Sequence, residues 1–235
     1  PADQPALAID VDRTRALQAG LTQREVAQNL LIALSGLVIL FMAGLSWRII
    51  GAAVAFVAVA APMMYFHVMH DYQRRRVDTF LNPEADPLGA GWNIIQSKTA
   101  IGSGGLDGKG WLNGTQSRLD FLPESSTDFI FAVLAEELGL LGILFLFALY
   151  LFVIGRCLWI SYHAQDLFSR LLGAGLATTF FIYILVNVGM VSGLLPVVGV
   201  PLPLISYGGT SIVTLLAGFG ILMSIHTHRK WIAQV

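Results

Sequence analysis

The chain has 235 residues, 55% of them hydrophobic and only 12% charged, against about 25% charge in an ordinary soluble domain. A formal net charge of −1 gives no polyanion-binding signal, so nucleic acid is excluded as an expected partner. A single cysteine, Cys157, in an apolar run excludes a disulfide framework.

Residues 1–34 read as soluble. Ala8-Ile9-Asp10-Val11-Asp12 alternates as a strand does, and Thr22-Gln23-Arg24-Glu25 is a capping box that predicts a helix start. The solvent then changes. Apolar runs cover 30–47, 49–69, 129–159, 167–195 and 211–225. Several reach the roughly 20 residues that a spanning helix needs, and no cleavable signal peptide precedes them. The expected fold is all-α. It is a polytopic helical membrane protein with about five transmembrane helices and a large loop over 70–127.

Short loops on the cytoplasmic side carry the excess of Lys and Arg. Arg229 and Lys230 therefore put the C-terminus inside, and five spans put the 70–127 loop outside, on the periplasmic face. Arg74, Arg75 and Arg76 then fall on the outer side. The rule weakens over so long a loop, and those arginines need another reason to be there.

The candidate chemistry lies mostly around that loop. Asp128 stands where the loop becomes an apolar helix, at the outer boundary. The helix N-terminus favours its anion, which is the form a general base needs. Read from spacing alone, the favoured role is a helix cap with Thr127. Glu124 either orients a substrate, joins Asp128 at a divalent cation, or is a solvated acid. Glu136 and Glu137 lie inside the third apolar run, where charge faces protein or a water-filled cavity; they read as cavity-lining or as a structural pair. Arg74, Arg75, Arg76 and Lys98 offer outer-face cations to phosphate oxygens, or snorkel to lipid headgroups. Gly102, Gly104 and Gly105 read as a flexible loop without a nucleotide signature, serving either close backbone packing or loop mobility. Ser206, Gly208 and Gly209 form a turn into the last span, where small residues permit close helix approach. No metal-ligand spacing stands out.

Four strings carry a family resemblance. They are Asn82-Pro83-Glu84-Ala85-Asp86-Pro87-Leu88-Gly89, Gln96-Ser97-Lys98-Thr99-Ala100-Ile101-Gly102-Ser103-Gly104-Gly105, Phe121-Leu122-Pro123-Glu124-Ser125-Ser126-Thr127-Asp128, followed by Ala135-Glu136-Glu137-Leu138-Gly139, and Pro201-Leu202-Pro203-Leu204-Ile205-Ser206-Tyr207-Gly208-Gly209. In order and spacing, residues 35–235 resemble the RodA branch of the SEDS (shape, elongation, division, sporulation) family. That family has about ten spans, so the resemblance covers its C-terminal half. Residues 1–34 instead resemble a periplasmic porter segment of resistance-nodulation-division efflux pumps, which suggests a chimera.

The resemblance implies an activity: glycan-chain polymerisation from lipid II at the outer face of the bacterial inner membrane, supporting cell elongation and rod shape. It makes Asp128 the essential carboxylate. It gives Arg74, Arg75, Arg76, Lys98, Glu124 and Ser206 to the lipid-linked glycan substrates. It allows a divalent cation, Mg²⁺ or Mn²⁺, and implies a class B penicillin-binding transpeptidase as partner. Two alternatives stay open: a lipid II flippase, and an inactive truncated fragment.

Overall fold

The computed structural model describes residues 35–44, 46–67, 90–118, 125–195, 197 and 199–227. The expected strand at 8–12, the capping box, the arginines at 74–76 and Glu124 lie outside the described residues. A helical run over 35–42 leads in. Then come α1 (Trp47–His67), α2 (Ala90–Gly104), the single turn α3 (Thr115–Arg118), α4 (Ile130–Tyr162), α5 (Leu167–Val191) and α6 (Gly209–Thr227). Every described element is helical, as a lipid environment requires of backbone that must satisfy itself.

Among the described residues three helices, α4, α5 and α6, are long and apolar enough to cross a membrane. α4 runs for 33 residues, more than the roughly 20 that a hydrocarbon core of about 30 Å requires. α1 is helical for 21 residues over the second expected span. α4 turns back through residues 163–166 into α5, whose first turn Asp166 caps by accepting from Ser169 N at 2.8 Å. That bond holds the Asp166 carboxyl below its usual range.

α4 packs chiefly on α5 and α2. The core between them includes Phe131, Ala135, Tyr150, Phe180 and Met190. The opposite side of α4 is apolar and open: Phe145, Leu151 and Phe152 are each about two-thirds exposed or more. Such a face is sound only against lipid or further helices. At the far ends of α4 and α6, Arg156 stacks over Trp159 at 4.4 Å. His163 and His226 flank the same indole, an arrangement typical of a membrane–water interface.

α4 is not continuous. At Gly139 the backbone takes φ 65°, ψ −165°, a region open to little but glycine. The break frees backbone groups inside a span, where each needs a partner. The 105–110 segment supplies them. Lys109 and Gly110 N–H donate to Glu136 and Glu137 carbonyls, and Leu140 and Leu141 N–H donate to Gly105 and Leu106 carbonyls. This close crossing also decides between the two roles expected of the glycines, and corrects the loop to a helix at two of them. Gly102 and Gly104 are helical, in α2. A β-carbon at Gly104 would strike the Ala135 carbonyl, so its role is contact and not mobility. Gly139→Ala should destabilise the fold by about 1–3 kcal/mol through strain at that φ/ψ, with the clash against Gly108 added. A melting temperature equal to wild type in detergent would remove the crossing from the list of stabilising features.

Candidate functional site

The Ser125–Phe129 region is a run of turns. The helix after it takes Phe129, not Asp128, as its N-cap residue. Asp128 therefore precedes the cap and stands at the wall of a cavity of about 390 Å³ between α5 and α6. Thr127, Tyr183, Tyr207, Thr210, Ser211 and Thr214 bring hydroxyls to the same cavity. Leu176, Phe180 and Phe219 make the rest of it apolar. A carboxylate among hydroxyls, opening on an apolar slot, suits a sugar substrate carried on a lipid. Gly199 faces the carboxylate directly: a β-carbon there would stand 3.1 Å from Asp128 Oδ2.

The backbone of this turn is gripped from the C-terminal half of the chain. Tyr207 N–H donates to Ser126 O at 2.9 Å. The Ser206 hydroxyl donates to Thr127 O and accepts from Leu202 N at 2.7 Å. Asn187 Nδ2 donates to Asp128 O at 2.9 Å and to Val200 O at 2.7 Å. Behind them Tyr150 O–H donates to Pro203 O at 2.7 Å. Leu204 sits at φ 64°, a strained value for a branched side chain.

Two of the expected site residues fall into a second cluster. Glu136 is fully buried and pairs with Lys109 Nζ at 2.6 Å. Its carboxylate also accepts from Thr115 N at 2.9 Å, from Thr115 Oγ1 at 2.8 Å and from Gln116 N at 3.1 Å. Glu137 is buried beside it, its carbonyl taken by Gly110. This cluster ties the 109–116 segment to α4 and stands apart from the Asp128 cavity, which neither glutamate lines.

Lys98 is exposed on α2, its stem packed against Gly193 past the end of α5; it does not line the cavity. Gly208 lines the cavity, and Gly209 opens α6. The Gly105 carbonyl accepts from Leu140 N–H at the α4 crossing. Ser206 is buried and turned onto Thr127 and Leu202. Asn187, Tyr183 and Lys109 escaped sequence reasoning. Asn187 left a signal, as a lone amide in the apolar stretch Phe180-Phe181-Ile182-Tyr183-Ile184-Leu185-Val186-Asn187, and polar groups at membrane depth are functional candidates. Among the described residues no three His, Cys, Asp or Glu side chains converge to hold a metal.

The family model described as "Cell cycle protein", for FtsW, RodA and SpoVE, matches residues 14–231. The chain is 63% identical over 212 residues to "Peptidoglycan glycosyltransferase MrdB" of Escherichia coli, covering 90% of this chain and 57% of that one. It is 44% identical over 183 residues to "Peptidoglycan glycosyltransferase RodA" of Treponema pallidum, covering 78% of this chain and 42% of that one. A solved chain from work described as "Structural coordination of polymerization and crosslinking by a peptidoglycan synthase complex" superposes with a TM-score of 0.73 at 32% identity, covering 86% of this chain and 55% of that one. The chain thus spans about half the length of the relatives it matches. The efflux-pump resemblance of residues 1–34 finds no support, since the family match begins at residue 14.

Proposed function

The chain belongs to the FtsW, RodA and SpoVE family of cell cycle proteins, and from that membership we propose that it is the C-terminal part of a peptidoglycan glycan polymerase of the RodA branch. The observation that carries this reading is Asp128 at the wall of a hydroxyl-lined cavity between two spans. The proposed reaction joins lipid-linked sugars at the outer face of the inner membrane. The Asp128 carboxylate takes the proton of the 4-hydroxyl on the GlcNAc of lipid II. That oxygen attacks C1 of the donor MurNAc as the bond from C1 to the pyrophosphate oxygen breaks. Undecaprenyl pyrophosphate leaves with the bonding electron pair.

The leaving pyrophosphate calls for positive charge. Arg74, Arg75, Arg76 and Lys98 are the candidates, with Glu124 at the acceptor sugar. A Mg²⁺ or Mn²⁺ ion would have to be held by Asp128 together with the substrate's own phosphates, and no step here depends on it. The name of the solved complex, which couples polymerisation to crosslinking, supports a class B penicillin-binding transpeptidase as partner. Against a flippase stands the engagement of Glu136 with Lys109, Thr115 and Gln116, which removes the most buried acid among the described residues from any polar path.

The test is direct. The chain, extended to the full length of its relatives and purified with its transpeptidase, should convert labelled lipid II into glycan strands on a gel. Unconsumed lipid II under those conditions would refute the reading. The proposed orientation, with the C-terminus cytoplasmic, has its own check. Single cysteines at Asp107 and Asn113, with Cys157 replaced, should react with a membrane-impermeant thiol reagent in intact spheroplasts. Labelling only after lysis would reverse the topology.

A further inference from the structure

Asn187 and Ser206 take no part in the chemistry just proposed. Both are nevertheless buried, with 0% and 2% exposure, and both direct their hydrogens at the backbone that carries Asp128. The carbonyls of Ser126, Thr127 and Asp128 are three in succession. Each is taken by a donor from the C-terminal half of the chain: Tyr207 N–H, the Ser206 hydroxyl and the Asn187 amide. These residues lie in a turn ahead of the α4 helical ladder, so bonds of this kind help to set the orientation of their peptide planes. We infer that Asn187 and Ser206 are positioning residues, which hold the Asp128 carboxylate at the cavity wall through its own backbone.

Three features separate this device from ordinary packing. First, Asn187 spends its second hydrogen on Val200 O at 2.7 Å, beside Gly199. One amide therefore sets the spacing between Asp128 and the wall that its carboxylate faces. Second, Asn187 Oδ1 is buried without a hydrogen-bond partner. An orphan acceptor is unfavourable at membrane depth, and a residue kept only to fill space would be apolar. Third, the segment that delivers Ser206 is itself rigid. Leu204 holds a positive φ, and Tyr150 fixes the adjacent Pro203 carbonyl. Strain of that kind persists only where the surroundings over-determine the backbone.

The inference rests on Asp128 being the base, and the test keeps the two apart. Ser206→Ala, Asn187→Asp and Asp128→Asn are made in the full-length polypeptide and assayed with its transpeptidase. Rates are taken per folded molecule. Misplacing a catalytic group by about 1 Å lowers rate roughly 100-fold. Ser206→Ala, which removes one hydroxyl and leaves the fold, should therefore lose roughly 10- to 100-fold in kcat with KM for lipid II unchanged.

Asn187→Asp should carry a pH signature. Its ionised carboxylate donates nothing to the two carbonyls, whereas its protonated form donates one hydrogen. Part of the lost rate should return as pH falls through the new carboxyl's pKa, opposite in sign to the loss expected from protonating Asp128. If Ser206→Ala and Asn187→Asp both keep the wild-type rate and pH profile while Asp128→Asn is inactive, the positioning role is overturned and the base survives. A rate deficit that vanishes once folded protein is counted overturns it too. A fully active Asp128→Asn overturns both.

Discussion

Asp128→Asn in the full-length polypeptide should abolish polymerisation of labelled lipid II while membrane insertion and transpeptidase binding persist. The substitution keeps the side chain's size and its capacity to accept a hydrogen bond. It removes only the basic oxygen. A positioned general base contributes about 10² to 10⁴-fold in rate, equivalent to about 3–5 kcal/mol in the barrier. The competing role, capping the helix, is worth about 1 kcal/mol, and Asn caps as well as Asp. Geometry also weakens the cap, since the N-cap residue is Phe129. The helix then starts one residue later than spacing suggests, and Asp128 is left at the cavity wall with Gly199 against its carboxylate. Glycan synthesis by Asp128→Asn at the wild-type rate would end this mechanism and make Glu124 the next carboxylate to replace. An inactive Asp128→Asn that also fails to reach the membrane would not support the base, so expression is measured alongside.

The long helices were legible because lipid imposes a length on apolar runs, and the runs at 129–159, 167–195 and 211–225 became α4, α5 and α6. Asp128 was legible because a carboxylate at the end of a polar loop stands out against the span that follows. What stayed hidden depends on residues far apart in the chain. The glycines at 102 and 104 read as a loop, there for packing or for mobility, because intrinsic preference disfavours glycine in helices. Their helix forms because Gly104 lets α2 lie against Ala135, a contact no local pattern records. The break at Gly139 was invisible for the same reason. A glycine in an apolar run reads as close packing, and only the arrival of the 105–110 segment makes a non-helical φ/ψ useful there. Asn187 offered one polar letter in an apolar helix. That its two hydrogens reach 59 residues back to Asp128 and 13 forward to Val200 is a fact of the fold alone.

Glu136 is where sequence and structure meet most instructively, and its replacement carries the second large expectation. The sequence marked a charge at membrane depth, which needs a partner. The partner is Lys109 on the segment that crosses the Gly139 break, joined by the N–H groups of Thr115 and Gln116 at the start of α3. Glu136→Leu removes the acceptor from all of them at once. Breaking a buried pair from one side costs about 3–5 kcal/mol. The low end, about 3 kcal/mol, applies here because Lys109 keeps 28% exposure and some of its hydration. Glu136→Gln should cost less, since an amide oxygen still accepts from Thr115, although the ammonium is left without its counter-charge. Lys109→Met combined with Glu136→Leu should recover part of the loss, because no charge is then stranded. That coupling is the measurement that isolates the pair. The same variants should expose the loop to trypsin near Arg118, as the crossing that pins residues 105–116 loosens. Equal melting temperatures for wild type and Glu136→Leu, with equal resistance to trypsin, would mean the loop is held by the backbone ladder at Gly139 alone. The buried acid would then be free for another role.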